Sequence, residues 1–234
     1  MNPAPRGYAV YLFDVGGTLI TFDEGRRAAR YAELAARVGR DVSAQEAHRI
    51  LERLNEELPA RLQHVQLSLL PEAEQRAFWV AFWAEGFREM GVRDADAVRF
   101  AKELLDPVNG GDFQMVYPDT VPALTALKAR GKRVGVISNF SPNCESLLAK
   151  LGIASFFDLF VISGILGIEK PDPRIFEHAV RAAGRPVNEI VYIGDSIFHD
   201  IEGAHGVGMD AILIDRADRW ADFEGTRIRD LREL

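Results

Sequence analysis

A change of period near Val116 constrains this chain more than any other feature. Beyond it, short apolar runs at 134–137, 159–162, 190–193 and 211–214 alternate with helix-patterned stretches. The helical stretches are 119–131, opened by Asp119 as a cap; 143–151; 173–184, from Pro173 to Gly184; and 198–206. Strands alternating with helices of about ten residues give βαβ units and a parallel sheet. One more apolar run, 8–13, stands alone far upstream and ends abruptly at Asp14, with Gly16 and Gly17 following. Between 24 and 105 the spacing is helical throughout: Ala28, Tyr31, Ala32, Ala35 and Val38 in one stretch, then 44–58, 72–90 and 94–105.

The expected architecture is therefore α/β: a Rossmann-like parallel sheet with helices on both faces, plus an inserted all-helical domain. The α/β part is 1–21 with 113–234, and the helical insert is 22–112. At 234 residues this is one large domain or one and a half. No apolar run is long enough to cross a membrane, for which roughly 18 residues are needed. The N-terminus has no signal-peptide core. A single cysteine, Cys144, excludes an internal disulfide and fits a reducing, cytoplasmic setting. A net charge of −7 argues against a nucleic-acid-binding surface.

Open α/β sheets bind ligands beyond the carboxyl ends of their strands. Each expected strand delivers polar residues there: Asp14 and Thr18; Ser138 and Asn139; Gly194, Asp195, Ser196 and then Asp200. Lys170 stands in the loop G-I-E-K-P-D-P between them. Three aspartates within a few ångströms cannot all stay ionised without compensation. Mg²⁺ and Lys170 would supply it, since Mg²⁺ takes carboxylates, carbonyls and water and bridges to phosphate. Hydroxyl and amide donors at Thr18, Ser138 and Asn139 suit phosphoryl oxygens, and an aspartate can attack phosphorus to give an acyl phosphate.

In these segments the sequence resembles the haloacid dehalogenase (HAD) superfamily. Its four motifs stand in order as D-V-G-G-T (14–18), Ser138–Asn139, Lys170–Pro171 and G-D-S-I-F-H-D (194–200). V-Y-P-D, I-F-E-H-A and G-A-H-G-V-G-M extend the likeness over nearly the whole α/β part, and the insert resembles a helical C1-type cap. The resemblance implies that Asp14 is the nucleophile. Mg²⁺ would be held by Asp14, the Gly16 carbonyl and Asp195, with Asp200 binding metal-bound water or orienting Lys170. Thr18, Ser138, Asn139 and Gly17 would line the phosphoryl site, and Lys170 would fix the nucleophile. The substrate would be a small phosphorylated molecule.

The pattern departs from the phosphatase form D-x-D-x-T at Gly16, where a second aspartate would move a proton. Asp23, Glu24, His64 and His199 are the candidates to replace it. Attack by Asp14 on carbon, as in 2-haloacid dehalogenases, and a weakly active member that binds a phosphorylated ligand or partner are the alternatives. D-x-G-G-T also resembles the first phosphate loop of the actin-like sugar kinases, but Leu19 to Phe22 runs directly into helical sequence. Trp79 and Trp83, and Phe78 and Phe82, share helix faces four residues apart. They are expected to form the insert's own core, the alternative being rings turned toward an apolar leaving group.

Overall fold

The computed structural model describes residues 7–62 and 65–234. The chain divides into two compact units, one of residues 1–21 and 116–234 and one of 22–115. The first is built on a six-stranded sheet and the second is helical.

In chain order the elements are β1 (Val10–Phe13), β2 (Ile20–Phe22), α1 (Glu24–Ala36), α2 (Ala44–Leu62), α3 (Glu72–Glu89), α4 (Asp94–Asn109) and β3 (Gln114–Val116). There follow α5 (Thr120–Ala129), β4 (Arg133–Ser138), α6 (Cys144–Lys150), β5 (Leu159–Ile162), α7 (Ser163–Leu166) and α8 (Pro173–Ala183). The last are β6 (Ile190–Gly194), α9 (Gly203–His205), β7 (Asp210–Ile214) and β8 (Thr226–Ile228). The strand order is β5-β4-β1-β6-β7-β8, parallel throughout, and β2 and β3 form a separate pair.

The apolar runs are continuous because the sheet is covered on both faces. Tyr11 and Phe13 of β1 pack with Leu124 and Leu127 of α5 and with Leu147 and Leu148 of α6. Val10 and Leu12, one position out of phase, pack with Ile175, Phe176 and Ala179 of α8. This two-residue alternation is what a pleated strand imposes. The helical unit has its own core, in which Tyr31, Leu34, Leu51, Phe82, Trp83, Phe87 and Phe100 are buried. Tyr31 stacks on Phe87 with ring centroids 4.2 Å apart, and Trp79 stacks on Trp83 at 5.7 Å. Phe113 is buried in this helical core too, and the return to the first unit falls after Met115.

Three local expectations are corrected. The 198–206 stretch is a π-helix over Ile197–Glu202 followed by α9, not one α-helix. Asp119 precedes α5 but its side chain makes no capping bond; it accepts from the Leu231 N–H and the Arg216 guanidinium, both at 2.7 Å. The short strand β8 was not expected, because T-R-I has one apolar residue to bury and no alternation to read.

Candidate active site

The sheet order decides which strand tips meet. The connection from β1 leads to β4 on one side, and that from β6 leads to β7 on the other. The gap between β1 and β6 is thus the topological switch point, where open α/β sheets take ligands. Phe13 lies opposite both Val136 and Ile193, so the residues just beyond β1, β4 and β6 sit side by side.

Asp14 is buried, and its Oδ1 accepts from Ser138 Oγ at 2.9 Å and from Lys170 Nζ at 2.7 Å. Lys170 is buried as well, and its ammonium also donates to Asp200 Oδ1 at 2.6 Å and to the Tyr192 hydroxyl at 2.8 Å. Three donors therefore meet three acceptors. The Asn139 side chain grips the Lys170 backbone from both sides: Nδ2 donates to the Lys170 carbonyl at 2.9 Å, and Oδ1 accepts the Lys170 N–H at 2.7 Å. Asp200 is turned back by the π-helix, and its Oδ2 accepts the Ser196 N–H at 2.9 Å. Two glycines make room for this packing. Gly17 has φ +74°, and a Cβ on it would overlap the Asp195 carboxylate; one on Gly194 would overlap the Asp200 carboxyl.

Electrostatics follow from crowding. Burial is the main cause that pushes the Asp14 carboxyl above its usual range; Lys170 opposes it and Asp200 adds to it. Burial works against the Lys170 charge too, yet the carboxylates of Asp14 and Asp200 overcome it and hold the amine above its ordinary value. Desolvation, then the like charges of Asp14 and Asp200, push Asp195 well up. Because the Asp195 side chain is exposed, the like charges are the firmer of those two causes. Oxygen atoms of Asp14, Asp195 and Asp200 all lie within 4.8 Å of one another. An all-oxygen set of this kind suits a hard divalent cation.

Sequence-predicted residues divide by what their polar atoms do. Asp14, Ser138, Lys170 and Asp200 are joined directly. Thr18 is fully buried, and its Oγ1 has no hydrogen-bond partner among the described residues. The Ser138 hydroxyl has its one proton on Asp14, and the Asn139 side chain is engaged with Lys170. That leaves the Asn139 amide one further N–H, and the Ser138 hydroxyl no further proton. Gly16 is exposed, and a Cβ built on it meets no atom within 4 Å.

The proposed proton carriers have other partners. Asp23 caps α1, accepting the Arg26 N–H at 3.0 Å. Glu24 pairs with buried Arg27 at 2.8 Å and accepts from Asn55 Nδ2 at 2.8 Å. Arg27 in turn lies over the Phe22 and Trp83 rings, at 4.4 and 5.1 Å. His199 Nδ1 is 3.2 Å from Ser196 Oγ; burial, then the Lys170 charge, holds the ring below its ordinary value, so it is neutral near pH 7. His64 lies outside the described residues. Cys144 is inert: burial pushes its thiol up to about 12.

Tyr192 was missed. In V-Y-I-G it reads as one more apolar strand position, yet its hydroxyl receives Lys170 and lies 2.8 Å from the Ile137 carbonyl and 3.0 Å from Asp200 Oδ1. A hydroxyl in a strand buried on both faces was the available signal, since such a group needs a partner. Tyr192→Phe is expected to leave a Lys170 donor unpaired and to cost about 1–3 kcal/mol of stability. Urea unfolding checks this, and an unchanged midpoint would show that the hydroxyl holds nothing.

A parallel α/β sheet thus carries an aspartate–lysine pair at its switch point, with two more carboxylates beside it. The chain belongs to the haloacid dehalogenase-like hydrolases, whose family model matches residues 8–208. It is 32% identical to a glyceraldehyde 3-phosphate phosphatase of Methanopyrus kandleri over 95% of both chains. It is 34% identical to a phosphoserine phosphatase of Thermus thermophilus over 66% of each. It also matches the human haloacid dehalogenase-like hydrolase domain-containing protein 3 at 34% identity, spanning 56% of that protein's length. Among solved structures, a HAD phosphatase from Thermococcus onnurineus superposes with a TM-score of 0.59 at 26% identity, covering 96% of this chain and 95% of that one. A 2-haloacid dehalogenase from Pseudomonas syringae gives 0.56 at 27% identity, covering 97% and 96%.

Proposed function

We propose that the protein is a Mg²⁺-dependent phosphatase of a small phosphorylated metabolite, acting through an aspartyl phosphate on Asp14. The observation that carries this reading is the Asp14 carboxylate held by Ser138 and Lys170 while Asp195 and Asp200 stand beside it. In the first step a carboxylate oxygen of Asp14 attacks phosphorus, the bond to the leaving oxygen breaks, and that oxygen takes up a proton. In the second, water attacks the acyl phosphate, inorganic phosphate departs and the Asp14 carboxylate is restored. Lys170, anchored by Asn139, Asp200 and Tyr192, keeps Asp14 in one rotamer and offsets its charge. The Thr18 hydroxyl, which has no partner among the described residues, and the second N–H of the Asn139 amide would donate to phosphoryl oxygens.

The three carboxylates fit Mg²⁺, which Asp14, the Gly16 carbonyl and Asp195 would hold, with Asp200 beside them. When bound it would neutralise charge developing on the phosphoryl group. The helical unit would act as the cap and select the substrate. The two phosphatase relatives support phosphorus as the reacting centre. The 2-haloacid dehalogenase likeness together with Gly16 supports the second reading, attack on carbon.

Purified protein should release phosphate from p-nitrophenyl phosphate or a panel of phosphoesters with Mg²⁺ and lose that activity in EDTA. Halide release from 2-haloacids in EDTA would instead establish the second reading. Cation affinity should also rise with pH. The Asp14 and Asp195 carboxyls hold protons above the usual carboxylate range in the free protein, and a cation needs them ionised, so acid competes with it. Calorimetric titration of Mg²⁺ at pH 5 and pH 8 checks the sign, and equal affinities would place the cation elsewhere.

A further inference from the structure

The unpartnered Thr18 hydroxyl raises the question of what fixes its direction. Its own peptide is held from a distant segment: Arg216 Nη2, just beyond β7, donates to the Thr18 carbonyl at 2.7 Å. The next carbonyl, of Leu19, accepts from Thr120 Oγ1 at 2.9 Å and from the Tyr117 N–H at 3.1 Å. Two successive peptides are thus fixed by groups outside their own loop.

Arg216 is itself fixed. Nη1 lies 2.7 Å from Asp119 Oδ2, and the guanidinium rests over the Tyr117 ring, 3.8 Å from its centroid. Asp119 is buried and also accepts the Leu231 N–H. The planar fork places two donors, from two different nitrogens, on two acceptors at once with a fixed separation that a lysine's single nitrogen does not reproduce. Y-P-D, ahead of α5, and a single arginine after β7 therefore converge on the turn that carries Thr18.

On the proposed function as its basis, we propose that Arg216 is a positioning residue for phosphoryl transfer, aiming the Thr18 hydroxyl through the Thr18 carbonyl. Misplacement of a reacting or orienting group by about 1 Å can lower a rate about 10²-fold. Arg216→Met should therefore lower kcat about 10- to 100-fold with KM changed less than about threefold. Arg216→Lys, which keeps the charge beside Asp119 but not the bridge, should fall between.

A double-mutant cycle with Thr18→Val distinguishes positioning from a structural role. If Arg216 acts through Thr18, the double variant is no slower than Thr18→Val alone. Multiplying losses, or a wild-type kcat in Arg216→Met, would overturn the inference. Should Arg216→Met fail to fold, Arg216→Lys replaces it in the same cycle. Should the wild-type chain turn over no phosphoester, the phosphatase reading fails on its own. Calorimetry with orthophosphate and Mg²⁺ then decides the matter: affinity lowered by each single change and no further by the pair supports the inference. Equal affinity of wild type and Arg216→Met, or no binding by wild type, overturns it.

Discussion

Asp14→Asn is expected to abolish phosphoester turnover, a loss on the order of 10⁴-fold or more, as removal of a covalent nucleophile costs in other hydrolases. The amide has the shape of the carboxylate but lacks the anionic oxygen that must bond to phosphorus. Stability should not fall in step. Burial holds the Asp14 carboxyl above its unfolded value, so the folded metal-free protein binds the extra proton more readily than the unfolded chain. Its contribution to stability therefore declines as pH rises from the ordinary carboxylate value through the raised one. Asparagine removes that decline, and Lys170 keeps Asp200 and Tyr192 as partners. A melting temperature near or above wild type at pH 8, with no turnover, is the expected pair of results. Retained turnover in Asp14→Asn would end the nucleophile assignment.

Gly16→Asp carries the second large effect, in the direction of gain. Among the described residues of the aspartate cluster, the protons are engaged: Ser138 donates to Asp14, and all three Lys170 donors have acceptors. A leaving alkoxide would have to find its proton in water. A positioned acid is worth about 10²- to 10⁴-fold, and the space beyond Gly16 is open enough for a side chain. The variant should accelerate hydrolysis of alkyl phosphates by that factor. It should change p-nitrophenyl phosphate little, because nitrophenolate departs without protonation. A new carboxylate beside Asp14, Asp195 and Asp200 adds repulsion, so the gain should require Mg²⁺. If both substrates responded alike, proton transfer to the leaving group would not be what Gly16 lacks.

The convergence of Asp14, Ser138, Lys170, Asp195 and Asp200 was legible because each follows an apolar run that reads clearly as a buried strand or lies in the loop between two. Strand tips gather by the rules of parallel sheets, so their polar residues gather with them. What the side chains do to one another was not legible. Ser138 and Asn139 have the right groups to hold a phosphoryl oxygen, but hydrogen-bond direction depends on neighbours that only the fold supplies: Asp14 takes the Ser138 proton, and Lys170 takes one of the two Asn139 N–H donors. Asp119 looked like a helix cap because it precedes α5. Its true partners, Arg216 and Leu231, are 97 and 112 residues away in the chain. Tyr192 was lost in an apolar strand, and β8 was too short and polar to stand out.

β1 is flanked by β4 and β6, and the partners of Asp14 are 124 and 156 residues along the chain. Loop closure over such separations is slow compared with helix formation. The helices 24–109 can organise from neighbouring contacts while Asp14 still lacks the Ser138 and Lys170 side chains that hold it. Catalytic competence is therefore expected late in folding, with recovery of activity tracking completion of the central sheet rather than the molecule's helical content.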